Sequence, residues 1–187
     1  MKKGTIILVA ILVVIVATIG WLWTSYNGLV TADQNVQGQW AQVETQYQRR
    51  FDLIPNLVES VKGIMAQEQK VFGDLADART RYAGATTIND KAQAASGVES
   101  ALSRLLVIME NYPELKSAET VQTLMAQLEG AENRISVERK RYNDAARDFN
   151  IKIKRVPTNL IASMFGFSEK TYFESVSGAD QAPKVEF

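Results

Sequence analysis

The chain has 187 residues, and its 21 basic and 21 acidic side chains give a formal net charge of zero. This balance argues against nucleic-acid binding, which normally requires a basic surface. The chain contains no cysteine and no histidine, which excludes disulfides, thiolate or imidazole metal sites and the common catalytic triads. We therefore predict no catalytic residue, no cofactor and no metal site.

An uncharged, largely aliphatic run covers residues 6–23 near the N-terminus. As a helix it would extend roughly 27 Å, close to the thickness of a hydrocarbon core. The alternative is a cleaved signal peptide, but the run is longer than the roughly 7–15 apolar residues that such peptides contain. We predict that residues 1–25 form a retained membrane anchor. The side chains that define it are Ile6, Leu8, Ile11, Val14, Ile19, Trp21 and Trp23.

The basic residues that flank the anchor predict its orientation. Lys2 and Lys3 precede the apolar run, whereas the first basic residues after it are Arg49 and Arg50. Because basic flanks favour the cytoplasmic side, we predict a single-pass protein of the cell's inner membrane. Its N-terminus would be cytoplasmic, and its helical bundle would lie outside the cytoplasm.

Four amphipathic helices follow, because apolar residues recur three or four positions apart. The predicted helices cover residues 27–50, 55–82, 90–111 and 118–155. Pro55 would begin the second helix and Pro157 would follow the fourth. Asp33 is the polar exception on the apolar stripe of the first helix. No segment alternates with period two, so the predicted fold is all-α, with the anchor followed by an antiparallel up-down bundle of four long, coiled-coil-like helices.

The predicted bundle covers residues 26–157, and an apolar segment follows at residues 158–174. Residues 175–187 contain many small side chains and are predicted to form a flexible tail. In an up-down bundle the apolar segment would lie near the bilayer. It either closes that end of the bundle, or Phe165 and Phe167 contact lipid or the anchor of a neighbouring subunit.

Two groups of polar residues are candidate interaction sites. The first is the predicted corner between helices one and two, where arginines could make directional contacts with a partner. Alternatively, the aspartate there caps the second helix or pairs with an arginine. The corner consists of Arg49, Arg50, Asp52, Pro55 and Asn56.

The second group is a predicted polar layer between helices, which would fix the register of the bundle or, alternatively, bind a ligand. It consists of Glu132, Asn133, Arg139, Tyr142 and Asn143. Glu68 and Glu138 fall on the apolar stripes, where only a cation site built from oxygen ligands would be feasible. We predict instead that these glutamates pair with Lys62, Arg134 or Arg139.

Several stretches resemble the bacterial LemA family. The most specific is RRFDLIPNLV at residues 49–58, which WAQV precedes at residues 40–43 and VKG follows at residues 61–63. YPELK at residues 112–116 and ENRI at residues 132–135 add to the likeness, which covers about residues 26–173. The resemblance implies a membrane-anchored helical bundle with no established reaction. Some members of the family are associated with membrane stress proteases and with the biogenesis of membrane compartments.

The family's usual histidine is replaced in this chain around Gln67 and Glu68, so no shared histidine ligand is expected. We predict a non-enzymatic scaffold or adaptor that forms a homo-oligomer at the lipid bilayer. A membrane protease or another membrane protein is a candidate partner. The alternative is a membrane-tethered sensor that binds a small ligand in its helical bundle. An enzyme would have to rely on carboxylates such as Glu68 and Glu138.

Overall fold

The computed structural model describes residues 3–173, and these residues contain helices and no strand, as the sequence predicts. The helices are α1 (Lys3–Lys62), α2 (Gln69–Gly84), α3 (Ile88–Met109), α4 (Pro113–Ser117), α5 (Glu119–Lys154) and α6 (Thr158–Met164). The predicted flexible tail at residues 175–187 lies outside the described residues.

The first helix, α1, is longer than predicted, because Pro55 lies inside it. The predicted break between the first two helices, at residues 51–54, is therefore wrong. Proline costs roughly 3 kcal/mol inside a helix, but burying each large apolar side chain returns about 1.5–3 kcal/mol. Four buried side chains, two on each side of the proline, keep the apolar stripe continuous and the segment helical. They are Phe51, Ile54, Leu57 and Val61.

The chain instead leaves α1 after Lys62 and enters α2 at Gln69. In the connection, Met65 is fully buried, whereas Ile64 is 44% exposed. Gly63 lowers the helical propensity at this point. Met65 is the one buried residue among residues 63–68, so burial favours a helix less here than around Pro55.

The third and fourth predicted helices agree with α3 and α5 to within two residues at each end. Thr87 caps α3, because its hydroxyl oxygen accepts a hydrogen bond of 3.1 Å from the backbone N–H of Asp90. The short helix α4 was not predicted. It begins at Pro113, in the first turn of a helix, where proline costs no backbone hydrogen bond.

The described residues form two compact units, to which α1 and α5 both contribute. We call one the anchor unit; it contains α1 up to Gln39 and the stretch Arg141–Tyr172. We call the other the helical unit; it contains Trp40–Lys140 and Phe173. The antiparallel four-helix arrangement of the bundle stays a prediction.

Apolar side chains from α1, α2, α3 and α5 form the core of the helical unit. Three aromatic rings of this core are in contact, with ring centroids 4.6 Å apart for Phe51 and Tyr82 and 5.7 Å apart for Tyr47 and Phe51. Other fully buried side chains of this unit are Val43, Leu75, Val98, Leu102, Leu105 and Ile135. The core of the anchor unit is smaller and includes Leu29, Val36, Tyr142, Ala146, Phe149 and Ile161.

The N-terminal part of α1 is the one described helix that is long and apolar enough to cross a membrane. None of its most apolar window of 18 residues is buried against the rest of the chain. The seven side chains predicted to define the anchor are exposed by 38% to 71%. This part of α1 therefore lacks an apolar partner among the described residues.

Candidate functional site

A cluster of opposite charges lies inside the helical unit. Arg50 projects inward from α1 and is only 8% exposed. Its Nη1 forms an ion pair with a carboxylate oxygen of Glu132 on α5 and lies 3.6 Å from Oε1 of Glu99 on α3. One guanidinium group thus links three helices.

A second arginine completes the cluster from α5. Arg139 Nη2 lies 3.0 Å from Oε1 of Glu99, and Arg139 Nε donates a hydrogen bond of 2.9 Å to the hydroxyl oxygen of Tyr47. The Arg139 guanidinium also lies 5.1 Å from the ring centroid of Phe173. Two arginines therefore alternate with two glutamates, which balances the charge that these helices bury.

Burial determines the electrostatics of this cluster. It raises the pKa of the Tyr47 hydroxyl to about 12, although the neighbouring Arg139 opposes the increase. Burial also raises the pKa of Glu99, which Arg139 again opposes. Tyr47 consequently stays protonated at neutral pH, and both glutamates of the cluster lie against arginines. The arrangement is suited to fixing the register of helices, because every carboxylate in it already has a cationic partner.

The structure distributes the predicted polar layer over different places. Glu132 and Arg139 belong to the charge cluster, whereas Asn133 is exposed on α5. Tyr142 and Asn143 belong to the anchor unit, and the Tyr142 hydroxyl donates a hydrogen bond of 3.1 Å to the carbonyl oxygen of Thr171.

The residues of the predicted corner are likewise separated, because a helix turns by about 100° per residue. Arg50 is buried, while its neighbour Arg49 is exposed together with Asp52, Pro55 and Asn56. Asp52 accepts a hydrogen bond of 2.8 Å from the side chain of Gln48, one turn earlier on the same helix. Arg49 and Asp52 border a surface cleft of about 730 Å³ in the helical unit.

Sequence reasoning missed Tyr47 and Glu99 as members of the cluster. The ring of Tyr47 lies on the buried stripe of α1, and an aromatic residue at such a position is typical of a core. Glu99 follows the buried Val98 on α3, and a single glutamate beside an apolar stripe is typical of a solvated face. Only the three-dimensional arrangement brings Glu99 to the two arginines.

Glu68 and Glu138 have different surroundings. Glu68 accepts a hydrogen bond of 3.3 Å from the Tyr112 hydroxyl rather than pairing with Lys62, and Glu138 is half-buried on α5. Among residues 3–173, no group of three or more acidic side chains is placed to hold a metal ion.

An apolar cleft of about 780 Å³ opens in the helical unit beside the charge cluster. Apolar side chains from α3, α4 and α5 line most of it, and Arg50 and Glu132 are also among the lining residues. The Nε of Arg50 is buried and has no hydrogen-bond partner among the described residues. The cleft could hold a small molecule that is mainly apolar.

In the anchor unit, Asn150 holds the segment that follows α6, which we call the C-terminal strap (residues 167–172). Its side-chain amide accepts a hydrogen bond from the backbone N–H of Lys170 and donates one to the carbonyl oxygen of Lys170, both 2.8 Å long. The Lys170 ammonium lies 2.7 Å from a carboxylate oxygen of Asp33. This ion pair accounts for the polar residue on the first helix's apolar stripe.

Aromatic residues connect α6 to the end of the predicted anchor. The ring centroid of Tyr26 on α1 lies 4.6 Å from that of Phe165 and 6.1 Å from that of Phe167.

Gly166, between the two phenylalanines, has a φ of 75°. The backbone N–H of Phe167 donates a hydrogen bond of 2.9 Å to the carbonyl oxygen of Ala162. A left-handed glycine with this bond is the Schellman ending of a helix.

These features are those of a membrane-associated helical protein, with an N-terminal apolar helix long enough to cross a membrane and an internally ion-paired helical unit. The model of the LemA family matches residues 39–187, and the chain belongs to the LemA family. It aligns over 192 residues with the magnetosome proteins MamQ 1 and MamQ 2 of Paramagnetospirillum magneticum, each 31% identical. The alignment covers 89% of this chain and 71% of each relative. The magnetosome protein MamQ of Magnetospirillum gryphiswaldense is 28% identical over the same shares.

Proposed function

We propose that this chain is a non-enzymatic scaffold or adaptor of the LemA type, anchored in the cell's inner membrane and associated with itself there. The observation that carries the proposal is the exposed apolar surface of α1. None of its most apolar window is covered by the chain's own residues, so lipid and the anchor of a second copy are available to cover it. The relatives are named as magnetosome proteins, and these names state no catalytic activity.

In this proposal the helical unit is an antiparallel four-helix bundle that serves as a rigid platform. Ion pairs support it by linking α1 to α5 through Arg50 and Glu132 and α5 to α3 through Arg139 and Glu99. The docking surface for a partner, such as a membrane protease or another membrane protein, is the exposed side of α1. Its residues are Arg49, Asp52, Pro55 and Asn56.

Disulfide cross-linking tests self-association directly, since the chain has no cysteine of its own. Cysteine would be introduced singly at each of residues 11–16, and native membranes would be oxidised. We expect covalent dimers whose yield rises and falls with the helical period of about 3.6 residues. Ser103→Cys, on the exposed surface of α3, is the matched control. Monomer at all six positions would contradict the proposed association through anchors.

A second candidate function is that of a sensor, which the apolar cleft beside Arg50 favours. Its volume of about 780 Å³ suits a small, largely apolar ligand. Met125 lines the cleft, so Met125→Trp would fill part of it. A metabolite library screened by thermal shift against the full chain in detergent should yield compounds that stabilise the wild type and not this variant. A scaffold without a ligand site should show no such response.

A further inference from the structure

The short helix α6 has apolar residues on two sides. Ile161 and Ala162 are buried in the anchor unit, whereas Leu160 is 66% exposed and Met164 is 73% exposed. Phe165, directly after the helix, is 55% exposed. Leu160 and Met164 are four residues apart and therefore neighbours on one face. Leu160, Met164 and Phe165 thus form an exposed apolar surface, which we call the α6 surface.

The position of this surface along the chain's own anchor indicates what covers it. Phe165 packs against Tyr26, which follows Trp23, the last side chain of the predicted anchor, by three residues. With a rise of about 1.5 Å per residue, Tyr26 lies roughly 5 Å beyond Trp23 along α1. Aromatic residues at that level of a transmembrane helix occupy the membrane–water interface. The contact with Tyr26 therefore places the α6 surface at the same level.

The charges next to α6 fit the same environment. Lys152 and Lys154 lie in the last turn of α5, and Arg155 follows directly. Lys154 lies 2.8 Å from a carboxylate oxygen of Glu169, while Lys152 and Arg155 are exposed. Basic side chains beside an apolar surface can reach lipid phosphates while the apolar groups enter the acyl boundary.

We propose that the α6 surface is a second membrane contact, in which Leu160, Met164 and Phe165 enter the interfacial layer of the bilayer that holds the N-terminal span. This inference rests on the proposed membrane anchor and extends it. The chain would then be attached to the bilayer at two places, with Tyr26 and Phe165 forming the connection between them.

Depth-dependent fluorescence quenching tests this contact in the full chain, reconstituted in vesicles of phosphatidylcholine and phosphatidylglycerol. Because the chain has no cysteine, single variants Met164→Cys and Leu160→Cys can carry an environment-sensitive probe. Lipids brominated at shallow or deep acyl positions then act as quenchers. Val14→Cys reports on the span, and Ser103→Cys on α3 is the water-exposed control.

We expect the probe at Val14 to be quenched by deep bromines and the probes at Met164 and Leu160 by shallow ones. Quenching at Met164 and Leu160 should exceed that at Ser103 several-fold. If Val14 is quenched but both α6 probes match Ser103, the second contact is wrong and the anchor stands. Disulfide dimers at Met164 together with weak quenching would show that a second copy covers the surface, which also overturns the inference. If Val14 is not quenched, the anchor and the second contact both fall.

Discussion

At the scale of single residues, the side chain of Asn150 holds the C-terminal strap against α5. Its amide pairs with both backbone groups of Lys170 and donates a further hydrogen bond of 3.0 Å to the Tyr172 hydroxyl. An aspartate in the same place could accept but not donate, and its charge would face the Lys170 carbonyl oxygen. Asn150 is 4% exposed, so water cannot readily replace the lost partners.

We therefore expect Asn150→Asp to lower the free energy of unfolding by about 1–3 kcal/mol. Asn133→Asp makes the same chemical change at an exposed position of α5 and should leave stability nearly unchanged. Thermal unfolding of the full chain in detergent, followed by circular dichroism, measures both variants. Equal losses for the two variants would show that Asn150 does not hold the C-terminal strap as described.

Because the pKa of Glu99 is raised, we expect the free energy of unfolding to depend on pH. Burial raises its pKa in the folded protein above the unfolded value of 4.5, so the folded state holds the Glu99 proton more tightly. The resulting stabilisation is complete below pH 4.5 and is lost as the pH rises through the raised pKa. Glu99→Gln removes the titrating group while keeping its shape.

The stability of the wild type relative to Glu99→Gln should therefore fall as the pH increases above 4.5. The measurement is the difference in Tm between the two proteins at several pH values. Glu59→Gln, at an exposed position of α1, controls for the loss of one carboxylate. A difference that increases with pH would mean that the arginines dominate over burial at Glu99.

At the scale of single elements, the ending of α6 depends on the left-handed backbone of Gly166. A non-glycine residue in this conformation costs roughly 1–2 kcal/mol. By contrast, Gly73 lies within α2 and has open space where a Cβ would be added. The same substitution should therefore have opposite effects at the two glycines.

We expect Gly166→Ala to destabilise the chain by about 1–2 kcal/mol and Gly73→Ala to stabilise it by about 0.5–1 kcal/mol. Thermal unfolding of both variants under identical conditions provides the comparison. The Tyr26–Phe165 contact should also loosen in Gly166→Ala. A gain of stability in both variants would show that the strap does not require a left-handed residue at its start.

The helices illustrate what the sequence can predict and what it cannot. Apolar spacing of three or four residues correctly indicated α3 and α5, because burial of one face gives a repeating signal. Pro55 misled the prediction, since the local preference of proline for a helix start lost to the buried residues on both of its sides. In both cases the deciding quantity was the continuity of the apolar stripe.

The sequence indicates only in part the contacts between residues that are far apart along the chain. Asp33 could be recognised as a polar residue on an apolar stripe, but its partner Lys170 follows much later in the chain. The sequence indicates both Arg50 and Arg139 as candidate interaction residues, but it predicts them in different sites. The residue that joins them, Glu99, lies on a third helix and obeys no spacing rule with either arginine.

At the scale of the whole molecule, orientation depends on very few charges. The formal net charge of zero gives the chain no general attraction to anionic lipid. The basic residues close to the apolar run are Lys2 and Lys3, and no basic residue follows it before Arg49. Because positive charges near a span remain in the cytoplasm, these two lysines should determine the topology.

We therefore predict that an impermeant maleimide labels Ser103→Cys in intact cells and labels Gly4→Cys only after the membrane is opened. Gly4→Cys leaves both lysines in place, so the reporter does not disturb the charges under test. Replacing Lys2 and Lys3 together by glutamine should give a mixed population in which each cysteine is partly labelled. If Gly4→Cys is labelled in intact cells and Ser103→Cys is protected, the helical unit is cytoplasmic. The docking surface on α1 would then be available to cytoplasmic partners instead.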